Sequence, residues 1–146
     1  MIDTVIAYLE NEEWPYQRLE ERSTVRVAYS GDHGSWNCYA LAREEHEQLI
    51  FYSVYPEKVA PEQCAEVAQY LTRANYGLMI GNFEMDLDDG DVRYKTGLQI
   101  ECELTPEMVR AVVLPNVVVM DRYLPGLRAV ATSGLSARAA LSLVEG

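Results

Sequence analysis

Residues 73–94, RANYGLMIGNFEMDLDDGDVRY, gather Glu84, Asp86, Asp88, Asp89 and Asp91 into one short span. Asp89-Gly90 lies between two alternating runs and predicts a two-residue type I′ turn, because both of its central positions need positive φ. That turn implies strands over 78–87 and 91–101, with Asp86 facing Arg93 and Glu84 facing Lys95. On the other side of the ribbon, Phe83, Met85 and Leu87 meet Thr96, Tyr94 and Val92, so an apolar face supplies most of the stability. A calcium loop does not fit. Counted from Asp86, Gly90 falls on a ligand position, and counted from Glu84 the twelfth position is Lys95 instead of glutamate. The acids read as one hairpin with two of its charges paired, and no metal site is expected.

The segments on either side give the rest of the fold. Ile2, Val5, Ile6 and Leu9 recur at helical spacing and predict a helix over 2–11, closed before Pro15, with Trp14 and Tyr16 as packing anchors. The period then changes to two at Val25, Val27 and Tyr29. SGDHGS at 30–35 turns the chain into a second strand, WNCYALAR, and EEHEQ at 44–48 turns it into a third, LIFYSVY. The third strand is apolar on both faces and belongs in the middle of a sheet. Pro61 opens a helix with Cys64, Val67, Ala68 and Leu71 as its stripe and Gly77 as a left-handed cap. Thr105-Pro106-Glu107 starts another helix, in which Pro115 and Pro125 predict kinks or short breaks, and Gly134 and Ser136 precede a last helix ending near Val144. Short connections demand antiparallel neighbours. The fold class is therefore α+β, in the order α-β-β-β-α-β-β-α, with an antiparallel sheet packed on helices in a single domain, 1–146.

Composition narrows the function classes. The chain has 146 residues, 49% of them apolar, and a net charge of −11, with no block of Lys and Arg that could hold phosphates; no nucleic-acid partner is expected. The same charge opposes anionic lipid, and no window approaches a membrane span. Cys38, Cys64 and Cys102 are scattered and odd in number, as in a protein of the reducing cytoplasm, and the N-terminus has no signal-peptide pattern. No HExxH, GxSxG, Walker A or GxGxxG motif is present, and His33 and His46 lie in polar turns as solvated side chains. No catalytic residue and no cofactor are expected.

Strand 35–43 raises a structural question. Trp36, Cys38, Ala40 and Ala42 share one face, and Asn37, Tyr39, Leu41 and Arg43 share the other. Both faces carry apolar area, so either helices cover both or one meets a second chain or a client. Asn75, Asn82, Arg122 and Tyr123 are polar groups in apolar segments, suited to satisfying backbone groups where helix meets sheet.

At Arg73-Ala74-Asn75-Tyr76-Gly77, Gly81-Asn82-Phe83-Glu84 and Asp121-Arg122-Tyr123-Leu124-Pro125 the chain resembles the YbjN-like bacterial family, labelled sensory transduction regulators. The resemblance runs from about Trp14 to the last helix. It implies a fold like that of type III secretion chaperones, and a noncatalytic, homodimeric adaptor or chaperone-like module with a protein partner or client. A small-molecule-sensing regulatory domain is the alternative. The motif residues Asn75, Tyr76, Gly77, Gly81, Asn82, Phe83, Glu84, Arg122, Tyr123 and Pro125 are then structural or interface positions, with no catalytic residues to carry over.

Overall fold

The computed structural model describes residues 1–19 and 23–146. Its elements are α1 (Ile2–Asn11), β1 (Tyr16–Leu19), β2 (Thr24–Ser30), β3 (Ser35–Arg43), β4 (Gln48–Val54), α2 (Cys64–Gly77), β5 (Asn82–Asp86), β6 (Asp91–Gln99), α3 (Pro106–Ser133) and α4 (Ala137–Glu145). The strands form one six-stranded sheet in the order β1-β2-β3-β4-β6-β5, with every neighbouring pair antiparallel. The mixed class and antiparallel sheet agree with the sequence, and β4 lies inside the sheet as expected.

One strand is additional. β1, YQRL, has no alternating pattern and pairs along one side only, with β2. Its place comes from the aromatic packing around it. Trp14 packs edge-on against Tyr8 and Tyr29, with ring centroids 6.3 and 5.1 Å away, and so directs the chain back along β2.

The 82–99 hairpin departs from the expected register. Its ladder pairs Glu84 with Arg93, Met85 with Val92 and Asp86 with Asp91, two residues out from the anticipated alignment. A four-residue loop, 87–90, replaces the two-residue turn. Gly90 alone takes positive φ there (78°), and its N–H donates to the Asp86 carbonyl at 2.8 Å. The carboxylates of Asp86 and Asp89 accept the backbone N–H groups of Asp88 and Asp91, each at 2.9 Å. These local bonds favour the longer loop. A slip of two residues preserves the faces, so the apolar pattern does not discriminate between the registers.

Two further differences concern helix ends and interiors. Gly77 is the last residue of α2 and Leu78 caps it in an extended conformation; the left-handed residue is Gly81, at φ 74°. The stripe of α2 that reaches the core is Val67, Tyr70, Leu71 and Ala74. α3 runs unbroken for 28 residues through Pro115 and Pro125. Side chains from other elements bond to α3 carbonyls near those prolines: Thr96 Oγ1 donates to the Val112 carbonyl at 2.7 Å, and the Tyr70 hydroxyl to the Tyr123 carbonyl at 2.7 Å. Thr105 and Ser136 cap α3 and α4, and Gly134 ends α3 at φ 68°, as the sequence indicates.

The core lies between one face of the sheet and the helices. Val25, Val27, Cys38, Ala40, Phe51, Val92 and Tyr94 are sealed beneath Val5 and Leu9 of α1, Val67 and Tyr70 of α2, and Val113, Val117, Met120, Leu124 and Leu127 of α3. A polar network crosses this layer. Trp36 Nε1 donates to Ser53 Oγ (2.9 Å), and Ser53 Oγ donates to Asn116 Oδ1 (2.6 Å). Asn116 Nδ2 in turn reaches the Phe51 and Tyr94 carbonyls (3.0 and 3.1 Å) and Thr96 Oγ1 (3.1 Å). Each side chain of this network finds a partner, which fixes α3 against β4 and β6.

Candidate functional site

Among the described residues no helix lies over the outward positions of the sheet. Register places them in rows across the strands. Leu19, Thr24, Leu41, Ile50 and Gly97 form one row. The next contains Gln17, Arg26, Tyr39, Tyr52, Lys95 and Asn82, and the one after it Ala28, Asn37, Val54, Arg93 and Glu84. Tyr39, Leu41, Ile50, Tyr52 and Val54 are half-buried against one another and remain in contact with solvent. The question raised by strand 35–43 is thereby answered: among the described residues helices cover one face and leave the other open. Sequence periodicity shows that Tyr39 and Leu41 share a face, but their alignment with Tyr52 and Ile50 comes from register.

Charge is arranged along the β4–β6–β5 side of this face. Glu84 accepts from Arg93 Nε at 2.8 Å and from Lys95 Nζ at 2.9 Å, and the Arg93 guanidinium lies 4.1 Å from the centre of the Tyr52 ring. Burial tends to raise the Glu84 pKa; the bonds from Lys95 and Arg93 outweigh it and hold the carboxyl below its ordinary value. The expected Glu84–Lys95 pair therefore forms, diagonally, whereas Asp86 faces Asp91 and does not meet Arg93. Asp91 is taken instead by Lys58, which also reaches Asp89, both at 3.3 Å. The 55–59 segment is tied to the hairpin by Tyr55 N to Val92 O and Val59 N to Gly90 O, both 2.9 Å. Between this segment and the β2–β3 turn lies a half-open cleft of about 530 Å³, lined by Tyr29, Trp36, Asn37, Tyr39, Val54 and Lys58 among others.

The motif residues do not converge on one pocket. Asn75 takes both backbone groups of Phe83 on the sheet edge, donating from Nδ2 to its carbonyl (3.0 Å) and accepting its N–H (2.7 Å). Phe83 packs on Tyr94 and Tyr123, with ring centroids 4.8 and 5.7 Å away. Gly81 approaches the Lys95 carbonyl where a Cβ would clash, and the Tyr94 hydroxyl donates to the Ile80 carbonyl. Asn82 and Glu84 lie on the open face. Arg122 Nε donates to the Val144 carbonyl at 3.3 Å and the Tyr123 hydroxyl donates to the Glu145 carboxylate, so both hold α4 in place. Tyr76 and Gly77 stand in solvent, and Pro125 is exposed on α3.

Two residues have roles that the sequence reading did not assign. His33 is not a free solvated side chain: Asp121 accepts its backbone N–H at 2.9 Å and lies 3.1 Å from Nδ1, while Arg128 donates to its carbonyl at 3.2 Å. Asn116 carries the buried network. A polar residue recurring on the apolar stripe of α3 was the available signal for it. Burial pushes the Cys38 thiol up to about 12, so no thiolate forms there at neutral pH. Among the described residues no three His, Cys, Asp or Glu side chains gather as metal ligands, and no helix is long and apolar enough to cross a membrane.

Solved structures share this architecture. YbjN from E. coli, described as "a putative transcription regulator", superposes with a TM-score of 0.65 at 14% identity, covering 91% of this chain and 93% of that one. The ExsC-ExsE complex matches at 0.54 and 15% identity, over 90% and 94%. The HopA1-SchA chaperone-effector complex gives 0.49 and 15%, over 82% and 88%. The mixed helix and antiparallel-sheet fold is shared with YbjN and with the ExsC-ExsE complex. The comparison with curated proteins found no match. The YbjN family model, described as "Putative bacterial sensory transduction regulator", matches residues 2–128, and the chain belongs to that family.

Proposed function

We propose that this protein is a noncatalytic protein-binding module, an adaptor or chaperone-like regulator, and that it holds its partner on the open face of the sheet. The observation that carries the reading is the pairing of Tyr39 with Tyr52 and of Leu41 with Ile50 on a face that no helix covers among the described residues. Surfaces rich in tyrosine and aliphatic side chains at the centre, with polar groups around them, are suited to protein contact. The likeness in fold to ExsC, solved as a complex with ExsE, is compatible with it. The test is affinity capture from the native lysate by wild type and by Ile50→Asp, compared by mass spectrometry. A partner held by wild type and lost by the variant supports the reading, and equal capture by both counts against it.

A homodimer belongs to the same proposal. Tyr76 in the last turn of α2 and Met79 and Ile80 just beyond it have 90, 91 and 56% of their surface exposed, which gives a second copy apolar area to bury. Sedimentation should show a dimer that Met79→Asp dissociates. A monomer at all concentrations would remove the dimer and leave the sheet face untouched.

The cleft beside Tyr29 and Lys58 favours a second reading, a small-molecule sensor. Its volume of about 530 Å³ lies in the range of ligand pockets. A metabolite panel that raises the melting temperature of wild type but not of Asn37→Leu would support it.

A further inference from the structure

The open face differs in charge from the rest of this acidic molecule. Outward positions of β2, β3 and β4 carry Arg26 and Arg43 and no acid. β6 adds Arg93 and Lys95, so four of the chain's twelve Lys and Arg residues lie on one sheet face. Among the described residues Arg26 and Arg43 are bonded to neutral amides: Arg26 donates to Gln17 Oε1, and Arg43 Nη1 to Gln48 Oε1 at 3.0 Å. Neither has an ion pair among the described residues. Arg93 and Lys95 share the single carboxylate of Glu84. Acids stand at the ends of the face instead, in the 44–47 turn and the 86–91 tip, where Lys58 already holds Asp89 and Asp91. Across the Tyr39–Tyr52 row, Arg26 flanks one ring and Lys95 the other.

We infer that the occupant of this face is an acidic, amphipathic segment of another protein, its apolar side chains on Leu41, Ile50 and Val54 and its carboxylates on Arg26, Arg43 and the Arg93–Lys95 pair. The inference rests on the sheet-face reading above and adds the chemistry of the partner. Guanidinium groups held only by neutral amides exchange those bonds for charge-assisted ones to a carboxylate. Complementary charge also sets partner choice and association rate. Nucleic acid fits less well, because four cations, two of them shared with Glu84, are few for a run of phosphates and the molecule as a whole is strongly negative.

The experiment is selection from a random peptide library against the immobilised full chain. Recovered peptides are then titrated against wild type, an Arg26→Gln/Arg43→Gln double variant and Ile50→Asp. The arginines and Ile50 lie outside the sealed core, and circular dichroism would check that each variant folds. The expected peptides combine Asp or Glu with Leu, Ile or Phe, weaken with added salt, and lose about tenfold in affinity on the double variant, about 1.4 kcal/mol. Neutral or basic peptides that still lose binding to Ile50→Asp would overturn the charge inference and leave the sheet reading standing. Peptides that bind Ile50→Asp as well as wild type would overturn the sheet reading itself. Polyuridylate that displaces the acidic peptides would assign the face to nucleic acid. A dimer that Ile50→Asp dissociates would assign it to a second copy. Either result overturns the inference.

Discussion

The two faces of the sheet are built from the same strands and obey different rules. On the inner face of β4, Leu49, Phe51 and Ser53 are fully enclosed, and the one polar group among them is bonded to Asn116 and Trp36. On the outer face, Ile50, Tyr52 and Val54 are only half-enclosed, and Arg26 and Arg43 on the same face are bonded, among the described residues, to side chains that carry no charge. The inner face has satisfied its contacts within the chain. The outer face retains apolar area and unneutralised cations, which is the condition of a surface that works by meeting something else.

Adjacent residues test the contrast most strongly. Phe51→Ala should destabilise the fold by about 3–5 kcal/mol in chemical denaturation. Tyr52→Ala, one residue on, removes a half-exposed ring and its contact with Arg93 and should cost about 1 kcal/mol or less. Equal losses would erase the distinction between the faces. Asn116→Ala comes next. It strips partners from Ser53, Thr96 and two carbonyls and should cost about 2–3 kcal/mol by the same measurement.

Much of this contrast could be read from the sequence, though not the part that concerns function. The alternation of Trp36, Cys38, Ala40 and Ala42 with Asn37, Tyr39, Leu41 and Arg43 defined both faces of β3 without any knowledge of its neighbours. Thr105-Pro106 and Gly134 marked the ends of α3 through local capping chemistry. What failed was decided at longer range. Register in the 82–99 hairpin slipped by two because either alignment buries Phe83 and Met85, and Asx-type bonds at Asp86 and Asp89 settled the choice. α3 stays continuous through Pro115 and Pro125, and beside them it is bonded by Thr96 and Tyr70, which are distant in sequence. The row joining Arg26, Tyr39, Tyr52 and Lys95 spans four strands, and no local pattern in the sequence shows it.

The edge of the comparison is the β5 side, where inner and outer faces meet. Gly81→Ala would force a side chain into positive φ against the Lys95 carbonyl and should cost about 1–2 kcal/mol, with loss of hydrogen-exchange protection confined to β5. The smallest effect is electrostatic. Glu84 has a folded-state pKa below its unfolded value, so its contribution is present above the unfolded carboxylate range and is lost as pH falls through the folded pKa. For a partly exposed pair that contribution is no more than about 1 kcal/mol. Denaturation midpoints of wild type and Glu84→Gln should therefore converge on acidification and differ at neutral pH. A constant difference at all pH values would mean that the Arg93 and Lys95 bonds to Glu84 contribute through geometry and not charge.

The central claim is that binding occurs on the outer face. Amide chemical-shift mapping with a library-selected peptide tests it most directly. The account predicts perturbations at Arg26, Tyr39, Leu41, Ile50, Tyr52 and Lys95, with the amides of α3 and α4 unmoved. Shifts confined to the helices, with the outer-face strands unchanged, would contradict it.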